Sequence, residues 1–182
     1  AGGYAPDARS AWRKVSIPVC APAQMPSGDL FDPYLLGLMV GDGCFRSAVY
    51  TVTSMDKEIV DHLLLHGAKR TGATITYRMP LAVRNEIDRL GLGNHLSNAK
   101  FIPEEYFLAS AEDRLALLQG LMDTDGTVTL KNSNTSFTTV SPRLAADVRT
   151  LVCSLGGTVK TKKRKSGYRN KEGEYVPCQD SY

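Results

Sequence analysis

The chain carries the same nine-residue pattern twice, and this duplication constrains its fold more than any other feature of the sequence. The first copy, Leu35–Gly43, reads LLGLMVGDG, and the second, Leu118–Gly126, reads LQGLMDTDG. Each copy is mainly apolar and has a small residue at its third position and another four residues later. Because small residues one helical turn apart let two helix backbones approach closely, the two copies are predicted to be helices that pack along this face. The four small residues are Gly37, Gly41, Gly120 and Thr124.

The surrounding sequence repeats in the same order, with a unit of about 85 residues. Each nonapeptide is followed by segments typical of strands and then by a helix, which Ser54 and Ser141 are predicted to cap. The predicted strands are Cys44–Thr53, Thr74–Met79, Thr127–Leu130, Thr135–Val140 and Thr158–Lys163, and the predicted helices outside the first nonapeptide are Met55–Ala68, Arg84–Leu92, Asp113–Met122 and 141–155. The sequence therefore predicts an α+β fold with pseudo-twofold symmetry. It consists of an extended lead-in (1–29), a first repeat (30–112) and a second repeat (113–182).

Each nonapeptide ends in an aspartate followed by glycine, at Asp42 and at Asp125. If each glycine is a left-handed C-cap, both aspartates lie at helix C-termini, where the dipole makes a carboxylate cost roughly 0.3–1 kcal/mol. Two such ends side by side repel each other, and a bound cation removes the conflict. Mg²⁺ binds one or two carboxylates with water and phosphate oxygens, and paired carboxylates suit in-line phosphodiester hydrolysis. A single Asp-Gly is usually a turn, but two copies that each close an apolar helix favour a metal site.

Charge and hydropathy narrow the possible functions. The formal net charge of +3 is too small to indicate a nucleic-acid partner, but residues 160–171 contain seven basic side chains and no acidic one. Such a run is usually a solvated face, and it is also a candidate for phosphate contacts. No apolar stretch is long enough to span a membrane, and the N-terminus lacks the layout of a signal peptide, so we expect an intracellular protein.

The cysteines and histidines give little indication of a metal site. The four cysteines are scattered without a CxxC pair, which is typical of buried or incidental thiols. His62 and His66 lie one helical turn apart and would supply two ligands, but no third ligand follows them. A core or surface role is therefore favoured for this pair.

The paired nonapeptides resemble the two LAGLIDADG motifs of single-chain homing endonucleases, and the resemblance extends from Ile17 over nearly the whole remaining chain. Other segments are similar to intein-borne members of this family: Asp32-Pro33-Tyr34, Leu90-Gly91-Leu92, the Lys-x-Ile-Pro block at 100–103 and the lead-in 114–118 to the second motif. Val40 replaces the first aspartate of the motif, whereas Asp123 keeps it. This should matter little, because the second aspartate of each motif points at the metals in the family.

The resemblance implies a duplicated αββαββα fold whose two saddle-shaped antiparallel sheets lie in successive major grooves of double-stranded DNA, with cleavage across the minor groove. It implies a monomeric, cytoplasmic, DNA-associated enzyme with two or three Mg²⁺ ions, for which Mn²⁺ substitutes. Asp42 and Asp125 would be the catalytic, metal-binding carboxylates, with Gly41 and Thr124 beside the metal. Lys100 would stabilise transition-state charge or perturb the attacking water. The candidate DNA contacts are Arg46, Tyr50, Arg78, Lys131, Asn132, Lys160, Lys162, Lys163, Arg164 and Lys165.

Several departures from the family pattern leave alternatives open. The chain starts at Ala1 and ends Gln179-Asp180-Ser181-Tyr182, so it lacks the terminal residues with which inteins splice. We therefore expect no self-splicing, and the splicing domain of a host intein is a candidate partner. The first repeat is short between Ala68 and Arg84, and the second stops about where its last strand should begin. A maturase-like protein that binds DNA or RNA without cleaving it, or an intein insert with a decayed site, is the alternative.

Overall fold

The computed structural model describes residues 20–26, 28–131 and 134–182, so most of the predicted lead-in lies outside it. The expected α+β fold with antiparallel sheets is confirmed. The helices are α1 Pro33–Asp42, α2 Lys57–Leu65, α3 Leu81–Arg89, α4 Ala111–Asp125 and α5 Pro142–Ser154, with 3₁₀ turns at Ser97–Ala99 and Glu104–Leu108. The strands are β1 Thr51–Thr53, β2 Lys69–Arg70, β3 Thr76–Arg78, β4 Gly126–Thr129, β5 Asn134–Phe137, β6 Gly167–Arg169 and β7 Tyr175–Pro177.

Helices α1 and α4, which contain the paired nonapeptides, pack together at the centre of the fold. Every residue from Leu35 to Val40 is buried, which explains why α1 is apolar on all sides. The Asp32 carboxylate caps α1 by accepting a hydrogen bond from the Leu35 amide at 2.8 Å. Helix α4 continues to Asp125, beyond the predicted end at Met122. Both motif aspartates are therefore the last residues of their helices.

The glycines that follow α1 and α4 are not the left-handed caps that the sequence suggested. Gly43 has φ −67° and ψ 139°, and Gly126 has φ −86° and ψ 155°, so both are extended. The chain leaves each helix directly into extended backbone. Glycine is required here for a steric reason, because an added Cβ would lie 2.2 Å from the carbonyl oxygen of Met39 or of Met122.

Each half of the chain contributes antiparallel strands. In the first half the strand order is β1-β3-β2, and a bridge between Cys44 and Thr51 adds one more position at the edge. In the second half β4 pairs with β5, and β6 pairs with β7. Backbone hydrogen bonds of 3.1 and 2.9 Å between Thr139 and Tyr182 join these two hairpins.

The expectation that the second half stops before its last strand is wrong. Strand β7 is that strand, and its pairing with the preceding segment continues through a bridge between Arg164 and Ser181. The strand predicted at 158–163 is displaced along the chain, since regular pairing begins only at Gly167. With Cys44 counted as a short strand, the first half follows αββαββα through α3, and the second follows αββαββ through β7.

Local capping signals located one of the two outer helices correctly. Ser141 caps α5 as predicted, because its Oγ accepts a hydrogen bond from the Leu144 amide at 3.1 Å. Helix α2 is capped by Asp56 rather than Ser54, whose Oγ instead accepts from the Asp56 amide. The predicted apolar stripe of α2 is buried. Among the described helices, none combines the length and apolar character needed to span a membrane.

Candidate active site at the paired helix ends

The backbones of α1 and α4 are in close contact where the small residues of the two nonapeptides meet. A Cβ added at Gly37 would lie 2.5 Å from the Leu117 carbonyl oxygen and 2.9 Å from the Gly120 Cα. One turn later, Gly41 lies against the Thr124 side chain, and an added Cβ would lie 1.9 Å from its Oγ1. The four small residues therefore lie together at this crossing, and it brings the C-terminal ends of the two helices close to each other.

The Asp42 carboxylate lies close enough to Asp125 to affect the ionisation of Asp125. Partial desolvation by the surrounding protein raises the pKa of both groups above the usual range for aspartate, and the Asp42 charge raises the pKa of Asp125 further. Asp42 is exposed and Asp125 is half-buried, so the pair is open to solvent on one side. Hard oxygen donors that repel each other at a solvent-facing site suit a divalent cation such as Mg²⁺.

Lys100 lies close enough to both acids to feel their charges and is almost completely buried, with 4% of its surface exposed. Its ammonium donates hydrogen bonds to the carbonyl oxygens of Gly41 at 2.7 Å and Gly43 at 2.8 Å, and weakly to Met39 at 3.5 Å. Burial lowers the pKa of Lys100 to about 8, against the opposing effect of the charges on Asp125 and Asp42. Lys100 is thus a cation at the negative end of α1, a position that the sequence alone did not indicate.

The two other predicted metal contacts, Gly41 and Thr124, are engaged within the protein. The Gly41 carbonyl oxygen already accepts from Lys100, which leaves one lone pair for another partner. The Thr124 hydroxyl donates to the Leu121 carbonyl oxygen at 2.9 Å and faces the helix crossing. A metal contact from Thr124 would therefore use its backbone carbonyl.

Among the predicted DNA contacts, those that the structure describes are exposed, with one exception. The exposed ones are Arg46, Arg78, Lys131, Lys160, Lys162, Lys163, Arg164 and Lys165, and Asn132 lies outside the described residues. Lys163 forms an ion pair with Asp180 at 2.9 Å. Tyr50 is not a surface residue, because it is 1% exposed, packs against the Phe45 ring at 5.1 Å and donates its hydroxyl hydrogen bond to Asp88. Its prediction as a base contact is wrong.

With this geometry established, residues 112–177 are found to match the family model described as the LAGLIDADG-like domain. The second half of the chain resembles a LAGLIDADG-like domain. The matched region extends from α4 to β7 and includes Asp125 at the end of the motif helix. The resemblance drawn from the paired nonapeptides is thereby confirmed, and α1 with Asp42 lies outside the matched region.

Curated relatives of this LAGLIDADG-like chain include parts of much longer proteins. It is 36% identical over 141 residues to the replicative DNA helicase DnaB of Mycobacterium intracellulare, covering 78% of this chain and 22% of that protein. It is 29% identical to DnaB of Nostoc sp., covering 76% of this chain and 19% of that protein. It is 31% identical to the DNA polymerase of Thermococcus hydrothermalis, covering 67% of this chain and 8% of that protein. The chain therefore spans less than a quarter of the length of these relatives.

A solved structure is also similar to this chain. It is the crystal structure of I-DmoI in complex with DNA and Mn, with a TM-score of 0.43 and 16% sequence identity over 80% of this chain and 86% of that one.

Sequence reasoning missed a basic cleft in the first half of the chain. The cleft has a volume of about 690 Å³ and lies over β2 and β3 of the first half. Its lining contains four basic side chains and no acidic one; they are Lys69, Arg70, Arg78 and Arg84. The adjacent pair Lys69 and Arg70 was a visible sign of positive charge in the sequence. Arg78 and Arg84 lie further along the chain, so the sequence did not show that all four side chains line one cleft.

Proposed function

We propose that this chain is a metal-dependent endonuclease that hydrolyses both strands of a long, asymmetric DNA site. The observation that carries this proposal is the meeting of Asp42 and Asp125 at the ends of two helices in backbone contact. Both halves of the pseudo-twofold arrangement belong to one chain, so the enzyme would act as a monomer inside the cell. One aspartate would serve each DNA strand, with the two cuts lying across the minor groove.

Asp42 and Asp125 would hold Mg²⁺ or Mn²⁺, with the backbone carbonyls of Gly41 and Thr124 beside them. Bound metal would supply Lewis-acid stabilisation of the attacking and leaving oxygens in an in-line displacement. The raised pKa of each carboxyl group means that metal binding competes with a proton, so we expect the affinity for metal to increase with pH until both groups are ionised.

Lys100 would act by holding its positive charge at a fixed position. With a pKa of about 8, it is mainly protonated at neutral pH. Its charge lowers the pKa of both aspartates and so favours their ionised, metal-binding forms. Its hydrogen bonds to Gly41 and Gly43 also fix the backbone on both sides of Asp42. The direct role in stabilising transition-state charge or perturbing water remains a prediction from the family resemblance.

The exposed basic side chains support DNA as the substrate. Lys160, Lys162 and Lys165 belong to the basic run, and Arg46 and Arg78 lie in the first half of the chain. Lysines that contact phosphates provide affinity without sequence information, whereas arginine on a strand would pair with guanine edges in the major groove. We assign the run to phosphate contacts and the two arginines to base contacts.

The relatives support an insert carried by larger host proteins. The same segment is similar to parts of two replicative helicases and of one DNA polymerase, and it accounts for 22% or less of each. Similarity to a small part of proteins with different functions is expected when that part moves between hosts. We propose that the host is an intein, whose splicing domain is a partner of this chain. A helicase gene that lacks the insert is the first DNA to test.

The proposal is tested by incubating the chain with plasmids that carry either a DnaB gene without the insert or a randomised site library. We expect linear product with Mg²⁺ or Mn²⁺ and none with EDTA. Asp42→Asn and Asp125→Asn should each abolish double-strand cleavage while DNA binding persists. Asp61→Asn is the matched control, because Asp61 is an exposed aspartate that forms an ion pair with Lys57 on α2.

Other outcomes would identify the alternatives. Specific DNA binding without cleavage by the wild-type chain would indicate a non-cleaving binding protein. Preferential binding of structured RNA would indicate a maturase-like function. Absence of both DNA binding at low salt and metal binding by calorimetry would indicate a decayed insert.

A further inference from the structure

A second cluster of metal-ligating side chains lies at the opposite end of α1 from Asp42. It consists of Asp32, which caps the start of α1, His62 in α2, and His66, which directly follows α2. One ligand atom from each residue lies within 4.8 Å of the other two. Each side chain is about one-quarter exposed, so the cluster is enclosed on most sides but reaches solvent.

The two imidazoles converge on one carboxylate oxygen. The Nε2 atom of His66 lies 3.1 Å from Asp32 Oδ2, and the Nε2 atom of His62 lies 3.4 Å from the same oxygen. In a tetrahedral zinc site with bonds of about 2.0–2.1 Å, two ligand atoms are about 3.4 Å apart. The two measured separations are close to this value. The other oxygen of Asp32 accepts the Leu35 amide, which fixes the orientation of the carboxylate.

Hydrogen bonding alone does not satisfy this cluster. The Nε2 atom of His62 is buried and has no hydrogen-bond partner among the described residues. Buried polar atoms are nearly always paired in folded proteins, so such an atom requires an explanation. A metal ion bound between the three side chains would provide the missing partner.

The surrounding charges favour a cation. The Tyr34 ring packs edge-on against His62 at 4.7 Å, and its hydroxyl donates to Asp123 at 2.8 Å. A second carboxylate, that of Asp123, is therefore linked to the cluster through Tyr34, in addition to the carboxylate of Asp32 itself.

We propose that Asp32, His62 and His66 bind one transition-metal dication, with Zn²⁺ as the preferred ion and water as a fourth ligand. Two imidazoles and one carboxylate suit Zn²⁺ better than Mg²⁺, which prefers oxygen donors. The ten-residue helix α1 separates this site by about 15 Å from the carboxylate pair. The metal would fasten the start of the first LAGLIDADG helix to the end of α2, independently of cleavage.

The test is a titration of the complete, chelator-treated chain with Co²⁺, whose visible absorption reports four-coordinate binding. The four free, exposed cysteines are first alkylated so that thiolate ligands do not contribute. We expect one four-coordinate Co²⁺ per chain, displaced by Zn²⁺, with the imidazole NMR signals of His62 and His66 shifting together. His62→Gln and His66→Gln should each weaken binding by about tenfold or more. His95→Gln is the matched control, because His95 contacts the Gly93 carbonyl elsewhere.

Asp32→Asn provides a variant that should keep the helix cap, since asparagine and aspartate cap helices equally well. It should weaken Co²⁺ binding while leaving the circular dichroism spectrum unchanged. Binding of equal strength in the wild-type chain and both histidine variants would overturn the proposal. So would the absence of Co²⁺ and Zn²⁺ binding, with the signals of His62 and His66 unmoved. Neither result would affect the proposed cleavage function, because Mg²⁺-dependent cutting is measured separately.

Discussion

Replacing Gly37 by alanine tests the idea that backbone contact between α1 and α4 positions the catalytic pair. The new Cβ would lie 2.5 Å from the Leu117 carbonyl oxygen, about 0.9 Å short of the 3.4 Å at which ordinary contact begins. Both sides of this contact are backbone, so no side chain can rotate away and the helices must separate. If the helices separate by about this distance, the atoms around the contact lose about a quarter to a half of their dispersion attraction.

The expected cost follows from two opposing effects. Overpacking of this kind destabilises by about 3 kcal/mol, whereas alanine is favoured over glycine within a helix by about 1 kcal/mol. The net loss in free energy of unfolding is therefore about 2 kcal/mol. For a chain of this size the melting temperature should decrease by about 4–8 °C. Because the helix ends also move apart, cleavage should decrease more than DNA affinity.

The measurements are urea unfolding, DNA binding and single-turnover cleavage on the same variants. Gly28→Ala is the matched control, since the nearest atom to its added Cβ is 4.0 Å away and it should change stability by less than about 0.5 kcal/mol. Gly41→Ala should also be destabilising, and Thr124→Gly should restore part of that loss by removing the clashing side chain. Equal stability and equal cleavage in Gly37→Ala and Gly28→Ala would refute the reasoning.

Three further predictions concern buried and exposed cations. Lys100 has a folded pKa of about 8 against 10.5 for the free side chain, so its buried charge destabilises the fold below pH 8 and this penalty disappears between pH 8 and 10.5. Over that interval the free energy of unfolding of the wild-type chain, measured in urea, should increase by about 3 kcal/mol relative to that of Lys100→Met. A difference between the two chains that does not change with pH would contradict this prediction. Arg114 is fully buried and donates hydrogen bonds to the carbonyl oxygens of Ala23 and Ala109. Arg114→Met should lower the free energy of unfolding by about 3 kcal/mol in thermal unfolding, because these two acceptors lose this donor. Lys162→Ala should reduce the slope of log affinity against log salt by about 0.9 if Lys162 contacts a phosphate, and an unchanged slope would place it outside the DNA interface.

Much of the fold was accessible from local sequence because the repeated elements carry their own signals. The small residues of the nonapeptides predicted a helix pair in contact, and Ser141 followed by Pro142 marked the start of α5. Such signals depend on the spacing of residues within one or two helical turns, and this spacing can be read from the sequence without knowledge of the fold. Boundaries that depend on competing caps were less accurate, as Asp56 and Ser54 illustrate at α2.

For the candidate site, too, some features follow from the local sequence and others only from the folded structure. The sequence by itself determined the duplicated helices, their terminal aspartates and the basic run, because these are local patterns that occur twice or occur contiguously. Only the tertiary structure decided that Lys100 caps α1, that Tyr50 is a core residue, and that Asp32 completes a cluster with the two histidines. These side chains meet across 30 to 60 residues of chain. Packing between distant elements of the first half, and no local preference, fixes such contacts, since burial and neighbouring charge exist only once the chain has folded.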